Sequence, residues 1–329
     1  MIPVAVRQRP AYDDQLDEPA ALTVRVDCPA KTNLTLEVGP THDEWGGRHE
    51  LDTIYCAIGV YDTITATAKH PGAGFSLELE GAHLGDLASS SSDMRRNHAV
   101  LALFAMAQEA GRDPDVSLTI TKRIPVGAGL GGGSADAAAT ILAVNQLWEL
   151  HWPMERLRTI AATLGADMPF CLSGGFAHGT GFGERIEVID AGSAAERDLI
   201  GQGYAGEVLV GAYQSQLSTP EVYHTFDAVG PGNGNRNHLQ AAAISLHPRS
   251  GQAIDAAVNA GAVMHSFPVP GRRWWLSCQT TSRRSALSTP GATAVWSTVL
   301  SRPVHLHTPL SESASNANVA TSHMIMKEV

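Results

Sequence analysis

Residues 125–139 read Pro-Val-Gly-Ala-Gly-Leu-Gly-Gly-Gly-Ser-Ala-Asp-Ala-Ala-Ala, and five of the first nine are glycine. Glycine admits positive φ and lets backbone approach a ligand with no Cβ in the way. Just before this stretch Val116, Leu118 and Ile120 alternate with polar residues, the period of a half-buried strand. Just after it Ile141, Val144, Leu147 and Trp148 recur at helical spacing, predicting a helix over 134–150. Strand, glycine loop and helix in that order turn successive N–H groups toward one point, where the helix N-terminus adds partial positive charge. Such a point suits a phosphate. A flexible linker would not be bracketed by a patterned strand and helix. Two other phosphate loops are excluded: no lysine separates Gly133 from Ser134, and no strand ending in a ribose-binding acid follows at the distance a dinucleotide fold needs.

The rest of the chain constrains the class. Its 329 residues predict one large or two medium domains. A formal charge of −10 argues against a nucleic-acid surface, and no apolar run approaches a membrane span. Four scattered cysteines with no Cys-x-x-Cys pair read as reduced thiols, so the expected location is the cytoplasm. Residues 1–20 are polar, with no signal-peptide core, and read as a disordered extension. His305 and His307 lack a carboxylate or cysteine partner at metal-site spacing, so no zinc site is assigned.

Along the chain, Leu22, Val24, Val26 and Cys28 alternate as a strand, which runs into Pro29-Ala30-Lys31-Thr32-Asn33-Leu34 and resumes at Leu34, Leu36 and Val38. Lys31 and Asn33, two apart, point the same way. Further strands are expected at 54–60, 62–69, 75–80 and 207–213. Helices are expected at 97–110, 154–164, after Ser218-Thr219-Pro220-Glu221 with its capping-box spacing, from Asn237, and at 250–260. Pro169 pushes Met168 toward an extended shape, leaving Asp167 at an element boundary. The glycine run from Gly174 to Gly183 reads as a connection between domains. The expected division is an extension over 1–20, a first domain over 21–175, a second over 176–266 and an irregular tail over 267–329.

The glycine stretch resembles the second motif of the GHMP kinases, and Pro29 to Leu34 resembles their first. Similarity extends over residues 22–266, through Arg48 to Thr53, Gly165 to Phe170 and the glycines after 174. The branch most similar to it acts on 4-diphosphocytidyl-2-C-methyl-D-erythritol, in the non-mevalonate route to isoprenoids. The resemblance implies an α+β two-domain fold with the active site between the domains. It implies ATP-dependent phosphoryl transfer to the substrate's 2-hydroxyl, with Mg²⁺ on the ATP phosphates. By carry-over Asp167 takes the hydroxyl proton and Lys31 polarises that hydroxyl. Residues Pro125, Val126, Gly127, Ala128, Gly129, Leu130, Gly131, Gly132, Gly133, Ser134 and Ala135 would hold the nucleotide, with Asn97 beside it and Ser134 toward the metal. Asn33 would contact the substrate or Asp167, and His49 and Tyr223 would meet the substrate at the cytosine. No nucleic-acid or membrane partner is implied, and the protein would be a monomer or homodimer. Arg48 stands where the family has a tyrosine stacked on cytosine; a guanidinium plane can stack there too. Other kinases of the family, acting on homoserine or mevalonate, and a nucleotide-binding protein without turnover remain as alternatives.

The family's third motif, Ser-Gly-Ser-Gly-Pro-Thr, is absent; the chain instead reads Phe267-Pro268-Val269-Pro270-Gly271-Arg272-Arg273-Trp274-Trp275-Leu276. From residue 267 onward only Glu312 and Glu328 are acidic, against 31 in the preceding 266, and three of six tryptophans lie there. Back-translated and read one nucleotide earlier, residues 268–276 yield Ser-Gly-Ser-Gly-Pro-Thr-Val-Val-Ala. The last two are forced, Val by the Trp-Trp codons and Ala by Trp-Leu with a CTN leucine codon, and the others follow from choices at wobble positions alone. The tail therefore reads as an out-of-frame translation from about residue 267.

Overall fold

The computed structural model describes residues 4–6, 21–81, 84, 94–126, 129–212, 217–233, 236–259, 264–266, 273–278 and 293–296. The first part runs β1 (Val4–Val6), β2 (Thr23–His42), β3 (Arg48–Ala68), β4 (Ser76–Gly81), α1 (His98–Ala110), β5 (Val116–Lys122) and α2 (Gly132–Leu147). It continues with α3 (Met154–Leu164), α4 (Met168–Cys171), β6 (Phe176–Thr180) and β7 (Arg185–Ile189). The remainder is α5 (Ala194–Gly201), β8 (Glu207–Ala212), α6 (Thr219–Val229), α7 (Gln240–Leu246), α8 (Arg249–Asn259), β9 (Met264–Ser266), β10 (Arg273–Cys278) and β11 (Thr293–Trp296).

Strand alternation translates directly into layers. In β5, Val116, Leu118 and Ile120 are wholly buried while Ser117, Thr119 and Thr121 are half-exposed. Burying each such side chain stabilises by about 1.5–3 kcal/mol. A seven-stranded sheet has the order β1-β2-β3-β5-β4, with β6 added to β3 and β7 to β6; only the β4–β5 pair is parallel. Across it lies α2, whose Ala135, Ala137, Ala138 and Ala139 are all fully buried. Alanine on every face lets this helix pack between the sheet, α1 and α4 at once.

Several expectations are corrected. The strand does not end at Pro29: β2 is one 20-residue strand, and bulges at Pro29/Ala30 and Asn33/Thr35 absorb the irregularity. Likewise 54–60 and 62–69 are parts of a single β3. Met168 is helical, not extended, because Pro169 lies in the first turn of α4, where its missing N–H costs nothing. Ser218 precedes α6 as its cap residue but makes no side-chain capping bond. Residues 4–6, within the stretch expected to be disordered, pair with β2; the rest of 1–20 lies outside the described residues. The glycine run after 174 does not lead out of the first sheet: β6 and β7 extend that sheet, and the second one starts only at β8.

That second sheet, ordered β11-β8-β10-β9, is antiparallel. Residues 273–278 and 293–296, in the part expected to be irregular, flank β8 on either side as strands. Helices α6 to α8 gather a smaller core of Val222, Phe226, Leu239, Ala242, Ala243 and Ile254, which also takes in Leu36 of β2. The backbone of Leu36 is gripped on both sides, its N–H donating to the Arg236 carbonyl (2.8 Å) and its carbonyl accepting from His238 N–H (2.8 Å).

Cys28, Cys56 and Cys171 are free and buried, and burial raises all three thiols, Cys56 to about 12. They pack as small apolar groups. Among the described residues no helix is long and apolar enough to cross a membrane, and no cluster of three metal-binding side chains forms. His305 and His307 lie outside the described residues.

Candidate active site

Between two bulges of β2, Lys31 and Asn33 share one face and Thr32 takes the other, and each is at most 2% exposed. A buried ammonium must be paired. The Nζ of Lys31 lies 2.9 Å from Asp167 Oδ2 and donates to Asn33 Oδ1 at 3.0 Å. Asn33 in turn donates to the Thr53 hydroxyl (2.7 Å), which donates to the Thr35 carbonyl (2.6 Å). Asn33 therefore orients Lys31, and its polar atoms are engaged with Lys31 and Thr53. The other Asp167 oxygen accepts from the Tyr55 hydroxyl at 3.2 Å. Burial, then the Asp167 charge, raises the Tyr55 phenol well above its usual value, so it remains a donor. Tyr55 was not among the sequence candidates. Neither were Thr53, Lys122, Asp136 or Asp62.

The glycine loop is tied to this pair. Lys31 N–H donates to the Leu130 carbonyl at 2.9 Å. Gly131 has φ +66°, and a Cβ there would lie 2.7 Å from Lys31 Cγ. Glycine is thus needed at 131 for both conformation and contact. Lys31, Asp167, Asn97, Pro125, Val126 and residues 129–134 line one cleft of about 430 Å³, joined from the second part of the chain by Thr219. Gly127 and Ala128 lie outside the described residues, and Ala135 is buried behind the cleft. Asn97 caps α1, its side-chain oxygen accepting from Ala99 N–H at 2.9 Å. The N-terminal ends of α1, α2 and α6 all reach this cleft, through Asn97, residues 131–134 and Thr219. Three helix starts around one space make it a positive end for an anion.

His49 and Tyr223 stand together beside the cleft, stacked at 5.3 Å with planes 19° apart, and Phe226 meets His49 edge-on. His49 Nδ1 donates to the Gly39 carbonyl (2.9 Å), and its Nε2 faces Asp227 Oδ1 at 3.2 Å. Burial and the charge of nearby Asp167 raise the Tyr223 phenol. The Arg48 guanidinium lies over the Phe182 ring, 4.5 Å from its centroid.

Comparison with known proteins gives the family. The family model described as GHMP kinases N terminal domain matches residues 97–175. The 4-diphosphocytidyl-2-C-methyl-D-erythritol kinase of Bifidobacterium longum subsp. infantis is 80% identical over 268 residues, covering 81% of this chain and 84% of that one. The enzyme of the same name from Mycobacterium tuberculosis strain H37Ra is 38% identical over 268 residues, covering 74% and 77%. A crystal structure of 4-(cytidine 5'-diphospho)-2C-methyl-D-erythritol kinase superposes with a TM-score of 0.59 at 26% identity, over 77% of this chain and 89% of that one. A homoserine kinase from Cytophaga hutchinsonii shares the fold alone, with a TM-score of 0.61 at 15% identity. The chain belongs to the 4-diphosphocytidyl-2-C-methyl-D-erythritol kinase family, within the GHMP kinases.

Proposed function

We propose that the protein transfers the γ-phosphoryl group of ATP to the 2-hydroxyl of 4-diphosphocytidyl-2-C-methyl-D-erythritol. The observation that carries this reading is the Lys31–Asp167 pair at 2.9 Å, linked through the Lys31 N–H to the glycine loop that opens α2. A carboxylate that can take a proton, an ammonium beside it and a set of phosphate-facing amides then share one cleft. Phosphoryl transfer asks for little more than that, because positioning and charge neutralisation dominate its catalysis.

In this reading the amides of residues 129–134 and the α2 N-terminus hold the phosphates. Asp167 accepts the proton as the substrate oxygen bonds to phosphorus and the bond to the departing diphosphate breaks. Lys31, fixed by Asn33, neutralises charge growing on the attacking oxygen and the transferred group. Tyr55 holds the Asp167 carboxylate from its other oxygen. Ser134, which lines the cleft, would help hold a Mg²⁺ ion carried in on the phosphates. When bound, that cation neutralises phosphate charge. His49 and Tyr223 would receive the cytosine, with Asp227 yielding Nε2 to the base. The similarity that supports this substrate extends to relatives of that name at 70–83% identity.

The test is ADP release by purified protein with ATP and 4-diphosphocytidyl-2-C-methyl-D-erythritol, beside parallel reactions with homoserine and mevalonate. Turnover with the cytidine compound alone is expected. Turnover with a plain alcohol instead would assign another substrate, and ATP binding with no turnover on any would make the protein a nucleotide binder.

A further inference from the structure

Beneath the glycine loop lies a second buried lysine that the reading above leaves without a task. Lys122, the last residue of β5, is 3% exposed, and its ammonium donates to Asp62 of β3 and to Asp136 Oδ2 of α2, the latter at 2.7 Å. The same Asp62 accepts the backbone N–H of Arg123 (2.6 Å) and Ile124 (2.8 Å) through its other oxygen. Residues 122–124 lead into the loop; Asp136 lies one helical turn past its exit. A Cβ on Gly132 would sit 3.4 Å from Lys122 Nζ, so the ammonium lies directly under the start of α2. A cation at a helix N-terminus opposes the dipole unless it is paired. Here the carboxyl groups of Asp62 and Asp136 pair it, and one joins it to each end of the loop.

We propose that Lys122, bridged between Asp62 and Asp136, is a positioning residue that clamps both ends of the glycine loop and so fixes the amides that bind the nucleotide phosphates. The inference rests on the assignment of that loop to the ATP phosphates. The clamp is asymmetric. Asp62 is fully served by donors, whereas Asp136 Oδ1 has no hydrogen-bond partner among the described residues. Burial raises the Asp136 carboxyl to about 8, against the opposing pull of Lys122. The groups facing Asp136 are Lys122 from β5, Asp62 from β3, Cys28 from β2 and Cys171 from α4, and His98 of α1 faces Lys122, with burial holding its imidazole below the usual value. Burial works against the Lys122 ammonium, but Asp136 and Asp62 together outweigh it and raise its pKa above the usual lysine value. Below about pH 8 the clamp then carries no net charge, one ammonium against one carboxylate. Above it, a net negative charge lies under the site that receives a polyanion.

The test measures binding of a non-hydrolysable ATP analogue by calorimetry from pH 6.5 to 9.5, on the full chain and on Asp136→Asn, Lys122→Met and Gly131→Val. Wild-type affinity is expected to fall at least 3-fold as pH rises through about 8. Asp136→Asn keeps the Lys122–Asp62 pair and should lose that step while still folding. Lys122→Met should weaken binding at least 10-fold at pH 7; if it does not fold, the Asp136→Asn pH profile decides alone. A clamp that served only stability would lower the melting temperature of Asp136→Asn and leave the pH profile unchanged, which overturns the proposal. Gly131→Val separates the two readings. If it leaves analogue binding intact, the loop is not the nucleotide site. If it abolishes binding while Asp136→Asn keeps the wild-type profile, only the clamp is wrong.

Discussion

Tyr55 shows how one side chain sets the geometry of a neighbour's chemistry. Its ring is 1% exposed and stacked on Phe170 with centroids 4.9 Å apart, so the hydroxyl has one place to go, between Asp167 and the Gly183 carbonyl. Tyr55→Phe keeps the stack and removes the donor. Loss of such a bond costs about 1–1.5 kcal/mol, so kcat should fall roughly 10-fold with ATP affinity unchanged; steady-state kinetics with a separate ATP titration checks both. Asp167→Asn keeps the shape and removes the proton acceptor. Its kcat should fall by at least about 100-fold, read in single-turnover assays, with nucleotide still bound. His49→Ala should raise KM for the cytidine substrate several-fold without altering ATP affinity, since His49 and its stacked partner Tyr223 stand apart from the loop. Lys31 and Asp167 were legible because each sits in a short motif whose chemistry needs that residue type. Tyr55 was not: in sequence it is one more aromatic in a β-strand, and only the fold brings residues 55 and 167 together.

At the scale of elements, period-two and helical patterns carried most of the fold, and glycine misled where it has two uses. The run from Gly174 to Gly183 reads as a linker, yet β6 within it is a full member of the first sheet. Its glycines serve close approach. A Cβ on Gly179 would lie 2.5 Å from Tyr55 Cε2, and one on Gly183 would lie 2.7 Å from the Tyr55 hydroxyl. Glycine at these positions leaves room for a tyrosine under a strand. Gly179→Ala should therefore act through Tyr55, pushing its ring and displacing the hydroxyl from Asp167. Overpacking of this kind costs about 1–3 kcal/mol. The variant should show a lowered melting temperature by calorimetry and a kcat no higher than that of Tyr55→Phe. The unbroken β2 was hidden for a related reason: Pro29 and the clustered polar residues after it look like a strand end, and the bulges that absorb them depend on pairing with β3.

The first sheet meets helices α6 to α8 through Leu36, whose backbone binds residues 236–238 and whose side chain enters the core of those helices. The cleft lies where these parts meet, lined by Thr219 of α6 on one side and by Lys31 and the glycine loop on the other. The second sheet is tied to both parts, through α8 packed on β9 and β10 and through Val208 of β8 in the first core, so a disturbance there bears on the site. In that sheet β8 is central, and the strand beside it, β10, carries Arg273-Trp274-Trp275-Leu276. Read one nucleotide earlier, the same four positions become Thr-Val-Val-Ala, a β-branched run suited to a strand held between two neighbours. The residues ahead of it become a Ser-Gly-Ser-Gly-Pro turn, again rich in glycine. Trp-Trp and Thr-Val-Val are both strand formers, so β10 accepts either reading; what the restored reading adds is the glycine-rich motif ahead of the strand. A chain carrying the restored frame from codon 267 should be recovered in larger soluble yield. It should unfold in one cooperative calorimetric transition at a higher temperature than the present chain. It should also release ADP with a kcat/KM at least about 100-fold greater, since transition-state geometry at the cleft depends on how the second part is seated. Equal melting temperatures and equal kcat/KM for the two chains would mean that residues 267–329 complete the fold as they stand.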